Sequence, residues 1–289
     1  MAASNSFDMS RAWEEATALL RANRQVVAVV SGVFFFLPYL AVTMLVPDLG
    51  TIMGTQSVGG DPEAAMAAME AAFLEYWWVF VLLAVVQGVG TLGLLAMLGR
   101  DGRPTLGEAL TSGLAGLLPY LAANILVAFA IVLILAILVM ILSLTGSQAI
   151  ASLPIVLAFP VMIYVYVKIS LLAPVIAVED SRNPVAAVRR SWGLTKGNSF
   201  RLLLFYALLI VAFIVVSLVL TMIFGVLFAL LGETAGLIGG AIVSSAINAV
   251  MMVVLLAAMA AAHRQLSGHA TRASMPSVPS VTKGGSKGD

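Results

Sequence analysis

The sequence predicts an all-α polytopic membrane protein with about six transmembrane helices, interfacial amphipathic helices, and a pattern open to reading as a three-fold internal repeat. Three observations predict it. Of 289 residues, 61% are hydrophobic and 10% charged, with a mean hydropathy of +1.07. Soluble domains carry roughly 25% charged residues. So little polar surface cannot cover a fold in water, which excludes a soluble enzyme and a nucleic-acid-binding domain. Next, six apolar runs come near or exceed the ~20 residues that cross ~30 Å of hydrocarbon at ~1.5 Å per residue. Finally, the basic residues gather on alternate connections. The net charge of +1 names no partner, and the absence of cysteine excludes disulfide scaffolds, iron–sulfur clusters and thiolate metal sites.

The elements follow in order. Residues 1–24 form an N-terminal helix, with Met9, Trp13, Ala16 and Leu20 as an apolar stripe and an Arg11–Glu15 pair on the wet side. The first span, 26–46, outlasts a cleaved signal's apolar core of ~7–15 residues and is expected to be retained. A helix starting at Asp61, with Pro62 in its first turn, leads into the second span, 76–98. The glycines of GVGTLG (Gly88, Gly90, Gly93) lie inside that span and read as helix packing, not a phosphate loop. The third span covers 117–142, where IVLILAILVMIL lacks the alternation of a barrel strand. The fourth (154–172), fifth (202–230) and sixth (236–262) complete a membrane domain of 25–266. Pro38, Pro119, Pro154 and Pro160 kink or bound helices. Gly236 and Gly240 form a small-xxx-small pair for close helix approach. The tail, 267–289, is rich in Gly, Ser, Pro and Lys and reads as disordered.

The connections fix an orientation. Asp48, Asp61, Glu63, Glu70, Glu75 and Glu233 lie on one side, which has no Lys or Arg. Fourteen of the 15 basic residues lie on the other, including Arg103, Arg189, Lys283 and Lys287. The positive-inside rule then puts both termini in the cytoplasm.

The segments before the first and fifth spans look alike. Ala12 precedes Asn23, and Ala187 precedes Asn198, by eleven positions, with leucine between and an apolar run after. PTLGEALTSGLAGLL (104–118), before the third span, is a weaker match. The chain so reads as three units of one amphipathic helix and two spans; the alternative is that any multi-span protein needs interfacial helices.

Residues 183–197 are predicted to form a helix with Asn183 as N-cap, Pro184 in the first turn and Gly197 as the stop. Val185, Val188 and Trp192 share one side, with Arg182, Arg189 and Lys196 beside it. Such a helix lies in the headgroup plane, with Trp192 buried and Arg182, Arg189, Arg190 and Lys196 on anionic phosphates.

The segment 173–207, APVIAVEDSRNPVAAVRRSWGLTKGNSFRLLLFYA, carries Pro174 and Glu179 at a helix end. Ala187, Arg190, Ser191, Trp192, Leu194, Thr195, Gly197 and Asn198 follow, and then another span. This pattern resembles the membrane domain of the glycerophosphoryl diester phosphodiesterase family and related six-span bacterial membrane proteins of unknown function. The resemblance implies a bacterial inner-membrane location and marks Glu179, Ser191, Gly197 and Asn198 as motif positions. The name-giving members append a catalytic barrel, whereas this chain stops after a tail of about 23 residues. Phosphodiesterase activity is therefore not expected here.

No catalytic, cofactor or metal site is expected. Lys168 is the one basic residue inside a run and is expected to snorkel to the interface, to pair with Glu179 or Asp180, or to touch substrate. Gln87, Asn124 and Asn248 are the larger uncharged polar groups within spans, suited to interhelical hydrogen bonds. The expected partners are membrane lipids, anionic ones first, and a protein on the cytoplasmic face, but no nucleic acid. The function read from this is a non-enzymatic protein engaging lipids or supporting an envelope process. The alternatives are a transporter or lipid-moving protein with a cavity between repeat units, and a membrane partner subunit.

Overall fold

The computed structural model describes residues 6–46, 62–100, 105–145 and 147–274. Asp48, Asp61, Arg103, Lys283 and Lys287 lie outside them, as does most of the tail. The fold is all-α, with no strand among the described residues. The helices are α1 (Met9–Ala22), α2 (Arg24–Leu45), α3 (Pro62–Gly99), α4 (Leu106–Ser143), α5 (Gln148–Ile169), α6 (Leu172–Val178), α7 (Pro184–Thr195), α8 (Ser199–Ala229) and α9 (Glu233–Ser274). Six stretches are long and apolar enough to cross a membrane: α2, Glu70–Gly99 of α3, α4, Leu157–Val178 across α5 and α6, α8, and Glu233–Gly268 of α9. The chain is a multi-pass membrane protein, and its outer faces on α4 and α8 are lined with exposed Ile, Leu, Val and Phe.

Proline chemistry shapes two spans. Pro174 has no N–H to give the Ser170 carbonyl and crowds it, so the fourth span breaks at Ser170–Leu171 into α5 and α6. The Ser170 hydroxyl turns back onto the Val167 carbonyl at 2.8 Å. In α2, Pro38 cannot bond to the Phe34 carbonyl, and the chain makes a π-turn over Gly32–Phe36. Pro119, Pro154 and Pro160 stay inside continuous helices. α3 kinks at Tyr76 instead, where φ is −112° and ψ 21°.

The core sits at the end where most basic residues lie. Every residue of Leu172–Ala177 in α6 is buried, between α3, α4, α7 and α9. α3 and α4 pack tightly through glycine: a Cβ on Gly113 would lie 2.9 Å from both the Gly93 nitrogen and the Val89 oxygen. Gly88 and Gly93 also face α4, so GVGTLG is a packing surface. At Gly236 and Gly240 the space is open. The close approach is made by Gly239, against the Phe228 ring, because Phe228 of α8 reaches the helix one position over.

α1 meets the protein through only part of its expected apolar stripe. Its buried side is Ala12 and Ala16, packed on α9, while Trp13 points outward. Glu15 meets Arg264 at 3.5 Å, not Arg11. Small residues win this face because they let two helices approach closely. The N-terminal strand of contacts is specific: Phe7 N–H donates to Asn198 Oδ1 at 2.8 Å, Arg201 donates to the Phe7 carbonyl at 3.3 Å, and Asp8 exchanges hydrogen bonds with Gln265. Replacing Asn198 with Ala is expected to cost about 1 kcal/mol and to open Arg11 and Arg21 to trypsin. Unchanged protection would mean that Phe7 packing alone holds α1.

Asn23 (φ −117°, ψ 19°) and Asn198 (φ −117°, ψ 5°) occupy matching junctions between an amphipathic helix and a span. The middle unit has no such junction, since 106–118 runs straight into the third span as one helix behind its Thr105–Glu108 capping box. The tail boundary also moves: α9 continues through Ser274, past the expected end at 266.

Candidate lipid-facing site and intramembrane cavity

α7 forms as its caps dictate. Asn183 Oδ1 accepts from Val185 and Ala186 N–H, Pro184 follows, and Gly197 turns the chain at φ +83°. The face packed on the protein is Ala187, Ser191, Leu194 and Thr195. Trp192 is 39% exposed, on an outward side shared with Val185, the side that a helix lying in the headgroup plane turns to lipid. Ser191 docks the helix by donating to the Lys168 carbonyl at 2.8 Å.

The basic residues expected to act together divide by their position on the helix. Arg190 borders the packed face and grips Glu179, with Nε 2.9 Å from Oε2 and Nη2 3.1 Å from Oε1. His263 of α9 adds Nε2 to Glu179 Oε1 at 3.0 Å. An ionised carboxylate only accepts, so Nε2 carries the hydrogen. His263 Nδ1 is left buried with no hydrogen-bond partner among the described residues. Burial alone would raise the Glu179 pKa. The hydrogen bonds and charges of His263 and Arg190 outweigh it and hold the carboxyl down at about 2. Arg182 is paired with Asp180 at 2.6 Å. Arg100 donates to the Ala177 carbonyl at 3.0 and 2.7 Å, a cation on the C-terminal end of α6. Arg190 and Arg100 fasten helices together, while Arg182 ties down the turn before α7. Arg189 and Lys196, by contrast, point away from the packed face and are exposed.

Lys168 does not pair with Glu179 or Asp180. Its residue is only 4% exposed, and its Nζ sits 5.5 Å from the ring centres of both Tyr164 and Trp192. The two rings meet edge to face at 5.9 Å. Ring faces attract an ammonium, by about 0.5–2 kcal/mol. Among the described residues no carboxylate lies within 4.0 Å of it. Lys168, Arg189 and Lys196 thus form a region of positive charge around two outward-facing aromatic rings.

Of the intramembrane amides, Asn124 alone lines either cavity described here; Gln87 and Asn248 are half-buried elsewhere. The first cavity holds about 210 Å³ at the α5–α6 break. Its polar lining is Thr91, Tyr120, Asn124, Tyr166 and Ser170, with Met252 and Met259 of α9 opposite. The second, about 660 Å³, is an apolar groove between α4, α5 and α8, and it shares Tyr166 and Ile169 with the first. The roles of His263, Tyr120, Tyr166 and Ser170 are not legible in the sequence, which marks Tyr166 only as an interfacial aromatic and His263 only as a residue at the membrane exit. The i,i+4 pairs Tyr120/Asn124 and Tyr166/Ser170 were the available signal. For His263 it was a polar residue on the Ala-rich stripe Ala257, Ala260, Ala261. No family model, curated protein or solved structure matches this chain.

Proposed function

We propose that this is a non-enzymatic protein of the bacterial inner membrane that engages anionic phospholipid at its basic end, with that end in the cytoplasm. One observation carries the reading: among the described residues Lys168, held by Trp192 and Tyr164, and the outward Arg189 and Lys196 have no carboxylate partner, while the neighbouring arginines are spent on internal pairs. A phosphate between cations, with aromatic rings at headgroup level, satisfies both kinds of group. Membership in the glycerophosphoryl diester phosphodiesterase membrane-domain family belongs to the same proposal. Its support is that Glu179, Ser191, Gly197 and Asn198 each have a distinct structural task around α7.

The test is lipid retention by native mass spectrometry. Arg189→Gln with Lys196→Gln is expected to lower phosphatidylglycerol retention about tenfold or more, at roughly 1 kcal/mol per charge. Lys283→Gln with Lys287→Gln removes the same charge from the tail and is expected to change little. Equal losses would reduce the effect to bulk charge. Loss of a co-purifying protein with lipid unchanged would favour a membrane partner subunit.

A further inference from the structure

Where a transmembrane helix breaks, backbone groups lose their partners, and such breaks persist only where protein or a cavity receives them. The Ser170–Leu171 break opens on the polar cavity. Around it stand hydroxyls from three helices. Thr91 and Ser170 are buried, and Tyr120 and Tyr166 line the same wall. Tyr206 lines the adjoining groove and is 3% exposed, with its hydroxyl toward Ser170 but in no hydrogen bond of good geometry among the described residues. A buried hydroxyl without a partner costs free energy that a ligand oxygen would recover.

The groove supplies the other half of a ligand site. Apart from the two tyrosines, its lining is aliphatic, Phe159 and Met162. Its volume lies in the ~300–1,000 Å³ range of ligand pockets. Tyr166 is half-exposed at the junction, so the groove opens sideways toward the bilayer. We infer that the cavity and groove together bind an uncharged lipid of the acylglycerol class, its glycerol hydroxyl and ester oxygens among Tyr120, Asn124, Tyr166 and Ser170 and its chain in the groove.

Charge and hydrogen bonding select this class. No residue lining either space is charged. Lys168 leaves α5 on the opposite side, toward Trp192. A phosphate here would be buried without a cation, at heavy cost. Asn124 Nδ2 donates one of its two hydrogens to the Tyr120 carbonyl at 2.8 Å, and the amide oxygen remains as an acceptor for a ligand. An oxygen acceptor calls for a ligand donor. A diacylglycerol has a hydroxyl; an isoprenoid quinone, equally uncharged, does not.

The experiment uses the full chain in phosphatidylcholine nanodiscs carrying a diazirine-tagged diacylglycerol. Crosslinks are expected on peptides holding Ile163 and Val167 of α5 and Leu203 and Ala207 of α8. Unlabelled diacylglycerol should displace the probe, and phosphatidylglycerol and an isoprenoid quinone should not. Ala207→Trp, which fills the groove, should abolish labelling. Tyr166→Phe with Ser170→Ala should lower it roughly tenfold, the loss of a pair of neutral hydrogen bonds. Groove labelling that survives Ala207→Trp, equal labelling by tagged phosphatidylcholine, or equal competition by the quinone would overturn the assignment. The competition series needs only the wild-type protein, so a variant that fails to fold leaves the test intact.

Discussion

Replacing Glu179 with Gln is expected to give the largest single loss of stability in the molecule, about 2–3 kcal/mol at neutral pH. Glu179 is the one acceptor on which α6, α7 and α9 converge: it takes the Arg190 fork and the His263 Nε2–H while its side chain is 27% exposed. The Gln variant leaves Arg190 without its counter-charge. The same carboxyl sets an acid limit. Its pKa is depressed from 4.5 to about 2, so its contribution is fully present above pH 4.5 and is lost as pH falls through about 2. Thermal unfolding in detergent micelles from pH 7 down to pH 2 measures both. The variant should melt earlier at pH 7 and lose less than wild type across the acid window. A variant that melts with wild type throughout would remove Glu179 from the centre of the fold.

The second large effect is expected at the α3–α4 contact. Gly113→Leu pushes a side chain into the α3 backbone, where even a Cβ would stand 2.9 Å from Gly93 N and Val89 O. Backbone cannot swing aside as a side chain can, so the helices must separate, at about 1–3 kcal/mol or more. Gly225→Ala, in the last two turns of α8 with nothing within 4 Å of the new Cβ, is the control and is expected to be neutral or mildly stabilising. If both variants unfold at the same temperature as wild type, close packing through Gly113 does not hold the pair.

The spans were legible because lipid imposes a simple rule: length and apolarity suffice to recognise a helix that must satisfy its own backbone. Asn183, Pro184 and Gly197 were legible for a local reason, since capping needs only neighbours in sequence. What a helix face meets was not legible. Nothing local told Arg190 from Arg189. A turn of about 100° sends one to Glu179 and leaves the other outward. The outward place of Trp192 has the same origin, because Ala187 and Ser191 form the tighter fit to the protein. Lys168 was singled out by its charge, but the rings that hold it come from its own helix turn and from α7, 24 positions on. The break in the fourth span falls just before Pro174, which the sequence marks as a helix end, and not at Pro154 or Pro160. Pro174 makes it, because its missing N–H falls opposite Ser170 where buried neighbours and a cavity receive the freed backbone.

The lipid chemistry at both sites depends on which way the spans run, and single cysteines placed in this cysteine-free chain measure that directly. With a membrane-impermeant thiol reagent on intact spheroplasts, a cysteine at Glu233 should label at once. One at Arg189 should label only after the membrane is opened. Labelling at position 189 in sealed spheroplasts, or none at 233, would contradict a six-span protein with its basic end in the cytoplasm.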